Sequence, residues 1–195
     1  MRTRKGDGVS SNTHLPVLGT ERLLLRVPTP RDARIMLQFV QENREHLVPW
    51  DPDRDDDYFT IQHWQQQLAD NLDSVRDGTF LQFIFFEHDH GDDGVVGQCT
   101  LSGITGGAFQ AAFLGYGLHH AHVGKGYMSE ALRAVIDYAF GEMNLHRIMA
   151  NYMPANERSR RLLEKLGFER EGYARDYLHL AGRWQDHVLT SLINP

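Results

Sequence analysis

The segment Leu114–Leu132, LGYGLHHAHVGKGYMSEAL, constrains this chain more than any other: an apolar strand runs into a glycine turn, Val123-Gly124-Lys125-Gly126, and on into an amphipathic helix. Met128, Leu132, Val135, Ile136 and Ala139 recur at helical spacing, which predicts a helix over Tyr127–Gly141 with one buried stripe. A strand delivered so directly into such a helix belongs to a layered α/β domain in which the helix packs on the sheet. Glycines at a helix entrance let backbone amides approach an anion, and the helix dipole favours negative charge there. The turn is therefore a candidate phosphate site, with Lys125 adding charge. The spacing is neither GxxxxGK(S/T) nor a dinucleotide fingerprint, and by itself the turn reads equally well as a plain connection.

The rest of the chain supports one domain. Residues 1–18 are polar and without period, and read as a mobile arm. Glu21–Val27 reads as a strand ended by Pro28 and Pro30, and Arg31–Gln41 as a helix with Met36, Phe39 and Val40 on one face. An irregular stretch, NREHLVPWDPDRDDDYF, follows, then a helix over Ile61–Val75. Phe80–Glu87, Val95–Ile104 and Ala111–Leu118 read as an antiparallel meander. After the glycine turn and its helix come a strand over Arg147–Met153 and a helix over Asn156–Leu166 closed by Gly167. Strands over Glu169–Leu178 and Trp184–Leu192 finish the chain. The expectation is a mixed, mostly antiparallel sheet of about six or seven strands with about four helices.

With 20 basic and 26 acidic residues the net charge is −6, which gives no sign of a nucleic-acid-binding face and favours a basic partner. No apolar run approaches the roughly 20 residues of a membrane span, and the basic N-terminus lacks a signal peptide's apolar core. With a single cysteine, Cys99, this predicts a cytoplasmic protein without an internal disulfide. Eleven histidines raise the question of metal. The groups His119, His120, His122 and His88, His90 lack metal-ligand spacing and read as solvated loops, so no metal is expected. Asp51–Asp57 lacks the glycine and terminal glutamate of a calcium loop. It is either a solvated loop or a lip that attracts a basic tail.

The glycine turn, the opening Thr20–Arg26 (TERLLLR) and the run Asn156–Ser159 ahead of Leu166-Gly167-Phe168 together resemble the GNAT family of acetyl-CoA-dependent N-acyltransferases. The resemblance runs from about residue 18 to the end, so residues 19–195 form the expected GNAT domain. Within the family, ENREHLVPWDP and the C-terminal segment from His146 to Leu192 are most similar to the ribosomal-protein-alanine N-acetyltransferases.

The resemblance implies a fold in which Ala111–Leu118 carries a bulge, for which Gly115 and Gly117 are suited, and splays from Arg147–Met153. The pantetheine arm would lie in that gap, with an oxyanion held by backbone N–H near Leu118. The diphosphate would sit on Val123, Gly124, Lys125, Gly126, Tyr127 and Met128, and Asn156 would reach the pantetheine or thioester. Two positions depart from the family pattern: Ala121 stands where Gln or Arg opens the turn, and Leu163 where many relatives have an acid tyrosine. Ser159 is then the candidate donor to the leaving thiolate, or a plain helix serine. Asp176 is the candidate base, with Asp186 and His187 behind it, unless it pairs with Arg175 or Arg183. Trp50, Tyr58 and Tyr177 are candidates for the acceptor groove, although Trp50 and Tyr58 suit the core equally.

Three functions follow. The first is transfer of acetyl from acetyl-CoA to the N-terminal alanine amine on the basic tail of a ribosomal protein, free or in a ribosome precursor. The second is acetylation of a small amine such as an amino acid, polyamine or antibiotic. The third is a non-catalytic module that binds acyl-CoA or assists ribosome assembly.

Overall fold

Strand β3 (Phe80–Glu87) buries every residue from Leu81 to Phe86. A strand apolar on both faces needs a layer on each side. Leu81, Phe83 and Phe85 enter one core, and Ile84 and Phe86 the other. In this computed structural model, which describes residues 15–90 and 94–195, the first core is built with helix α4 (Tyr127–Gly141), whose Met128, Ala131, Leu132, Val135, Ile136 and Ala139 face it. The second takes Met36, Phe39 and Val40 from α1 (Ala33–Glu42) and Trp64 and Leu68 from α3 (Ile61–Arg76).

Among the described residues the sheet has eight strands. To β3 are added β1 (Val17–Gly19), β2 (Leu23–Arg26), β4 (Gly97–Thr105), β5 (Ala111–Leu118), β6 (Arg147–Met149), β7 (Glu169–Leu180) and β8 (Arg183–Ile193), in the order β1-β2-β3-β4-β5-β6-β8-β7. All neighbours are antiparallel except β5 and β6, which run parallel for three rungs, Ala111↔Arg147 to Phe113↔Met149. Beyond them the two strands part. Ala150 and Tyr152 donate to Thr190 and Val188 of β8 (3.0 and 3.1 Å), and from Leu114 to Leu118 β5 continues with β4 as its one neighbour.

The α/β class and mixed sheet agree with the sequence; several boundaries do not. The strand expected over Arg147–Met153 keeps its sheet partner on one side only after Met149, because its amides turn to β8. The sheet gains β1 because Val17 and Leu18 pair with Arg26 and Leu25. The expected arm thus ends earlier, and its residues 1–14 lie outside the described residues. A fifth helix, the single turn α2 (Arg44–Leu47), lies in the stretch read as irregular. The remaining helix, α5, spans Glu157–Lys165. The bulge expected at Gly115 and Gly117 is elsewhere: β4 and β5 keep regular register from Gly97↔Leu118 to Ser102↔Phe113 and shift between Ser102 and Thr105, where Gly103 takes φ +58°. Among the described residues no helix is long and apolar enough to cross a membrane.

Cys99 is fully buried on β4, and burial pushes its thiol up to about 12. In the native protein it should ignore a soluble disulfide reagent at pH 8 and react with one equivalent on unfolding. The native pKa lies above the unfolded one, so its stabilisation is complete below about pH 9 and is lost as pH rises toward 12. Urea midpoints between pH 8 and 11 should fall accordingly, with less decline in Cys99→Ala.

Candidate active site

The glycine turn opens helix α4. Gly124 and Gly126 have φ of +83° and +84°, a region that glycine enters freely and other residues only under strain. Helix α4 makes its first internal bond from Glu130 N to Gly126 O (3.1 Å), which places the amides of Tyr127, Met128 and Ser129 ahead of it. Val123, Gly124, Lys125 and Gly126 are exposed. The Met128 side chain is core, so that residue offers an anion only its backbone.

The second part is the gap between β5 and β6. In an antiparallel pair, alternate backbone groups face the neighbour, so those of Leu114–Leu118 that do not face β4 look into the gap. Gly117 keeps this wall thin, since Leu47 of α2 stands 3.7 Å from where its Cβ would be. Leu118, the last residue of β5, pairs with Gly97. At Gly97 a Cβ would lie 2.5 Å from the Phe85 ring and 2.8 Å from the Gly117 carbonyl, so the residue must be glycine.

Ser159 and Asn156 meet the gap from α5. Asn156 caps the helix, its Oδ1 accepting from Ser159 N (3.1 Å), which leaves its Nδ2 as the half able to reach a ligand. Ser159 Oγ lies 2.6 Å from the hydroxyl of Tyr116 on β5. Burial pushes the Tyr116 phenol up to about 12 despite that bond, so it is a neutral donor at any working pH. If the phenol donates to Oγ, the serine's one proton is free to point into the gap. Leu163 is buried in the core.

Of the residues expected at the acceptor groove, Tyr177 accepts from Asn151 Nδ2 (3.1 Å), and its ring is 5.3 Å from that of buried His187. Asp176 is exposed in a bulged stretch of β7 at φ +48°. Its backbone N–H donates to Asp186 Oδ1 (2.9 Å), while Tyr173 donates to the other oxygen (2.6 Å). Asp186 therefore fastens the bulge, and no described bond brings the Asp176 carboxylate to Tyr116 or Ser159.

The acidic loop closes this end. Ala181 N, at the β7–β8 tip, donates to Asp51 O (3.1 Å). Leu47, Val48, Asp51 and Tyr58 help line a pocket of about 330 Å³ beside that tip. Tyr58 also packs on Trp64, at 5.3 Å between ring centres, so it serves both the core and the pocket; Trp50 is half-buried. The histidine loop is packed and not freely solvated: His119 Nε2 is 3.0 Å from Glu42, and His120 N donates to the buried Asn43 (2.7 Å).

The family profile described as acetyltransferase (GNAT) domain matches residues 22–169. The chain belongs to the GNAT family. Over 188 residues it is 42% identical to the [ribosomal protein uS5]-alanine N-acetyltransferase of Escherichia coli (strain K12), covering 96% of each chain. It superposes on the crystal structure of ribosomal-protein-S5-alanine acetyltransferase from Vibrio fischeri with a TM-score of 0.87 at 36% identity, covering 92% of this chain and 97% of that one. For Mycobacterium smegmatis RimJ in complex with CoA-disulfide the TM-score is 0.83 at 30% identity, covering 92% and 86%.

In this GNAT chain position 163 is a buried leucine, and the phenol beside Ser159 is that of Tyr116 on β5. Sequence reasoning missed Tyr116, because it is 43 positions from Ser159 and reads as one more apolar strand residue between Gly115 and Gly117. Asn151, fixed by Tyr177 and by Thr190 N (3.2 Å), was hidden in the segment read as plain strand.

Proposed function

We propose that this GNAT protein transfers acetyl from acetyl-CoA to the α-amine of an N-terminal alanine on a ribosomal protein, in the cytoplasm. The observation that carries acyl transfer is the parting of β5 and β6 between the α4 glycine turn and the Tyr116–Ser159 pair. The full-length 42% identity to an enzyme named for uS5 alanine supports the acceptor.

The backbone amides of Gly124, Gly126, Tyr127 and Met128, with the Lys125 side chain, hold the diphosphate, while the Lys125 N–H stays on His122 O (3.4 Å), and the open edge of β5 pairs with the pantetheine arm. Asn156 Nδ2 reaches toward the thioester. The neutral amine attacks the carbonyl carbon, whose oxygen takes up charge facing backbone N–H near Leu118. The C–S bond then breaks, with the Ser159 hydroxyl donating to the departing sulfur and Tyr116 donating to Ser159. One proton leaves the amine and one reaches the sulfur, giving an amide and a free thiol. The amine has an ordinary pKa of about 8, so water in the cleft, with Asp176 at its rim, suffices as base. Trp50, Tyr58 and Tyr177 bound the acceptor groove, and Asp51–Asp57 draws in a basic tail.

The test is incubation with acetyl-CoA and a panel of alanine-started basic peptides, lysine-only peptides and polyamines, with the acetyl group located by mass spectrometry. Alanine-started peptides should be modified at the α-amine with kcat/KM rising toward pH 8, since the attacking form is the deprotonated one. Preference for a lysine side chain or free polyamine overturns the acceptor. Raising salt from 0.05 to 0.5 M should raise the peptide KM about threefold or more. Replacing Asp55, Asp56 and Asp57 with Asn should remove most of that increase.

A further inference from the structure

The TERL opening of the chain takes no part in the chemistry, yet its side chains close on the glycine turn more than 100 positions away. Arg22 donates Nη1 to Lys125 O (3.0 Å) and Nε to Glu130 Oε2 (2.7 Å), with Nη2 2.6 Å from the same oxygen. Its backbone N–H and the Thr20 hydroxyl both donate to Glu130 Oε1 (2.9 and 2.6 Å). Arg22 Cζ lies 4.4 Å from the centre of the Tyr127 ring, and Nη2 would be 3.5 Å from a Cβ on Gly126. Burial pushes the Glu130 carboxyl up, but the bonds from Thr20 and Arg22 outweigh it and hold it below its ordinary value.

This arrangement fixes one peptide plane. In a trans peptide the carbonyl and the following N–H point in opposite directions. With the Lys125 carbonyl drawn to Arg22, the Gly126 N–H must face away from the guanidinium. Glu130, one helical turn into α4, holds Arg22 at that distance from the turn, and the flat Tyr127 ring holds it in that plane.

We propose that Arg22 is a positioning residue for the cofactor diphosphate: by holding the Lys125 carbonyl toward itself it turns the Gly126 N–H to the opposite side of the turn, where the phosphate is met. This rests on the reading that the turn binds the diphosphate. An exposed ion pair by itself contributes little to stability, so the clamp's effect should lie in binding.

The experiment compares Arg22→Ala, Arg22→Lys and Gly126→Val with two donors, acetyl-CoA and S-acetylpantetheine, which ends before the diphosphate. Arg22→Ala should raise the KM for acetyl-CoA about tenfold with kcat within about twofold, and leave kcat/KM for S-acetylpantetheine unchanged. Arg22→Lys keeps the charge opposite Glu130 and so guards the fold, but a single ammonium cannot span both acceptors and should restore only part of the affinity. Equal loss with both donors, or no change with either, overturns the inference. If Gly126→Val weakens acetyl-CoA binding while Arg22→Ala does not, the clamp alone fails. If Gly126→Val also has no effect, the reading of the turn fails with it.

Discussion

Gly126→Val is expected to weaken acetyl-CoA binding by about a hundredfold or more while the protein stays folded, because the substitution strains the backbone where the diphosphate must approach. At φ +84° a β-branched side chain is among the least tolerated. The turn must either carry that strain or relax by rotating the amides that face outward. Its Cβ would also stand against Arg22 Nη2. Calorimetry gives the affinity and circular dichroism the fold. Unchanged affinity would remove the diphosphate from this turn. Gly141, at the far end of α4, has open space around its Cβ position, so Gly141→Ala is the control.

Ser159→Ala should lower kcat about a hundredfold with much less effect on either KM, as for a proton donor engaged mainly in the transition state. Tyr116→Phe should cost about tenfold, since the serine remains but its proton is no longer directed. The double variant should be no slower than Ser159→Ala alone, because the phenol acts through the serine across their 2.6 Å contact. Single-turnover rates for the four proteins test this. A kcat for Ser159→Ala within twofold of the parent would sink the assignment. Independent, multiplying losses would show that Tyr116 acts by another route.

The local parts of this design were legible in the sequence. Tyr127–Gly141 forms the expected helix end to end, and β3 and β5 match residue for residue, because an unbroken apolar period and flanking glycines leave few alternatives. Ser159 follows Asn156 by one turn as the spacing required, although Asn156 caps α5 instead of forming its first residue. What the sequence could not show are encounters between distant segments. Arg22 meets Glu130 across 108 positions, and Tyr116 meets Ser159 across 43. The end of β6 is equally non-local: it depends on whether the amides of Ala150 and Tyr152 bond toward β5 or β8. Asp176 looked well placed by its neighbours, but the bulge around it changes which way successive side chains point.

The three parallel rungs between β5 and β6 have a consequence beyond catalysis. They are the hydrogen-bonded seam between a five-stranded leaf and a three-stranded leaf, and past Phe113 that seam is open. A donor molecule lying along β5 as proposed would act as a substitute strand that closes it, and only the folded chain offers such an edge. Ligand at a hundred times its dissociation constant then adds about 2.7 kcal/mol to the folded state. Through that linkage, resistance to unfolding and to proteolysis of the unfolded form should rise with the concentration of acyl donor.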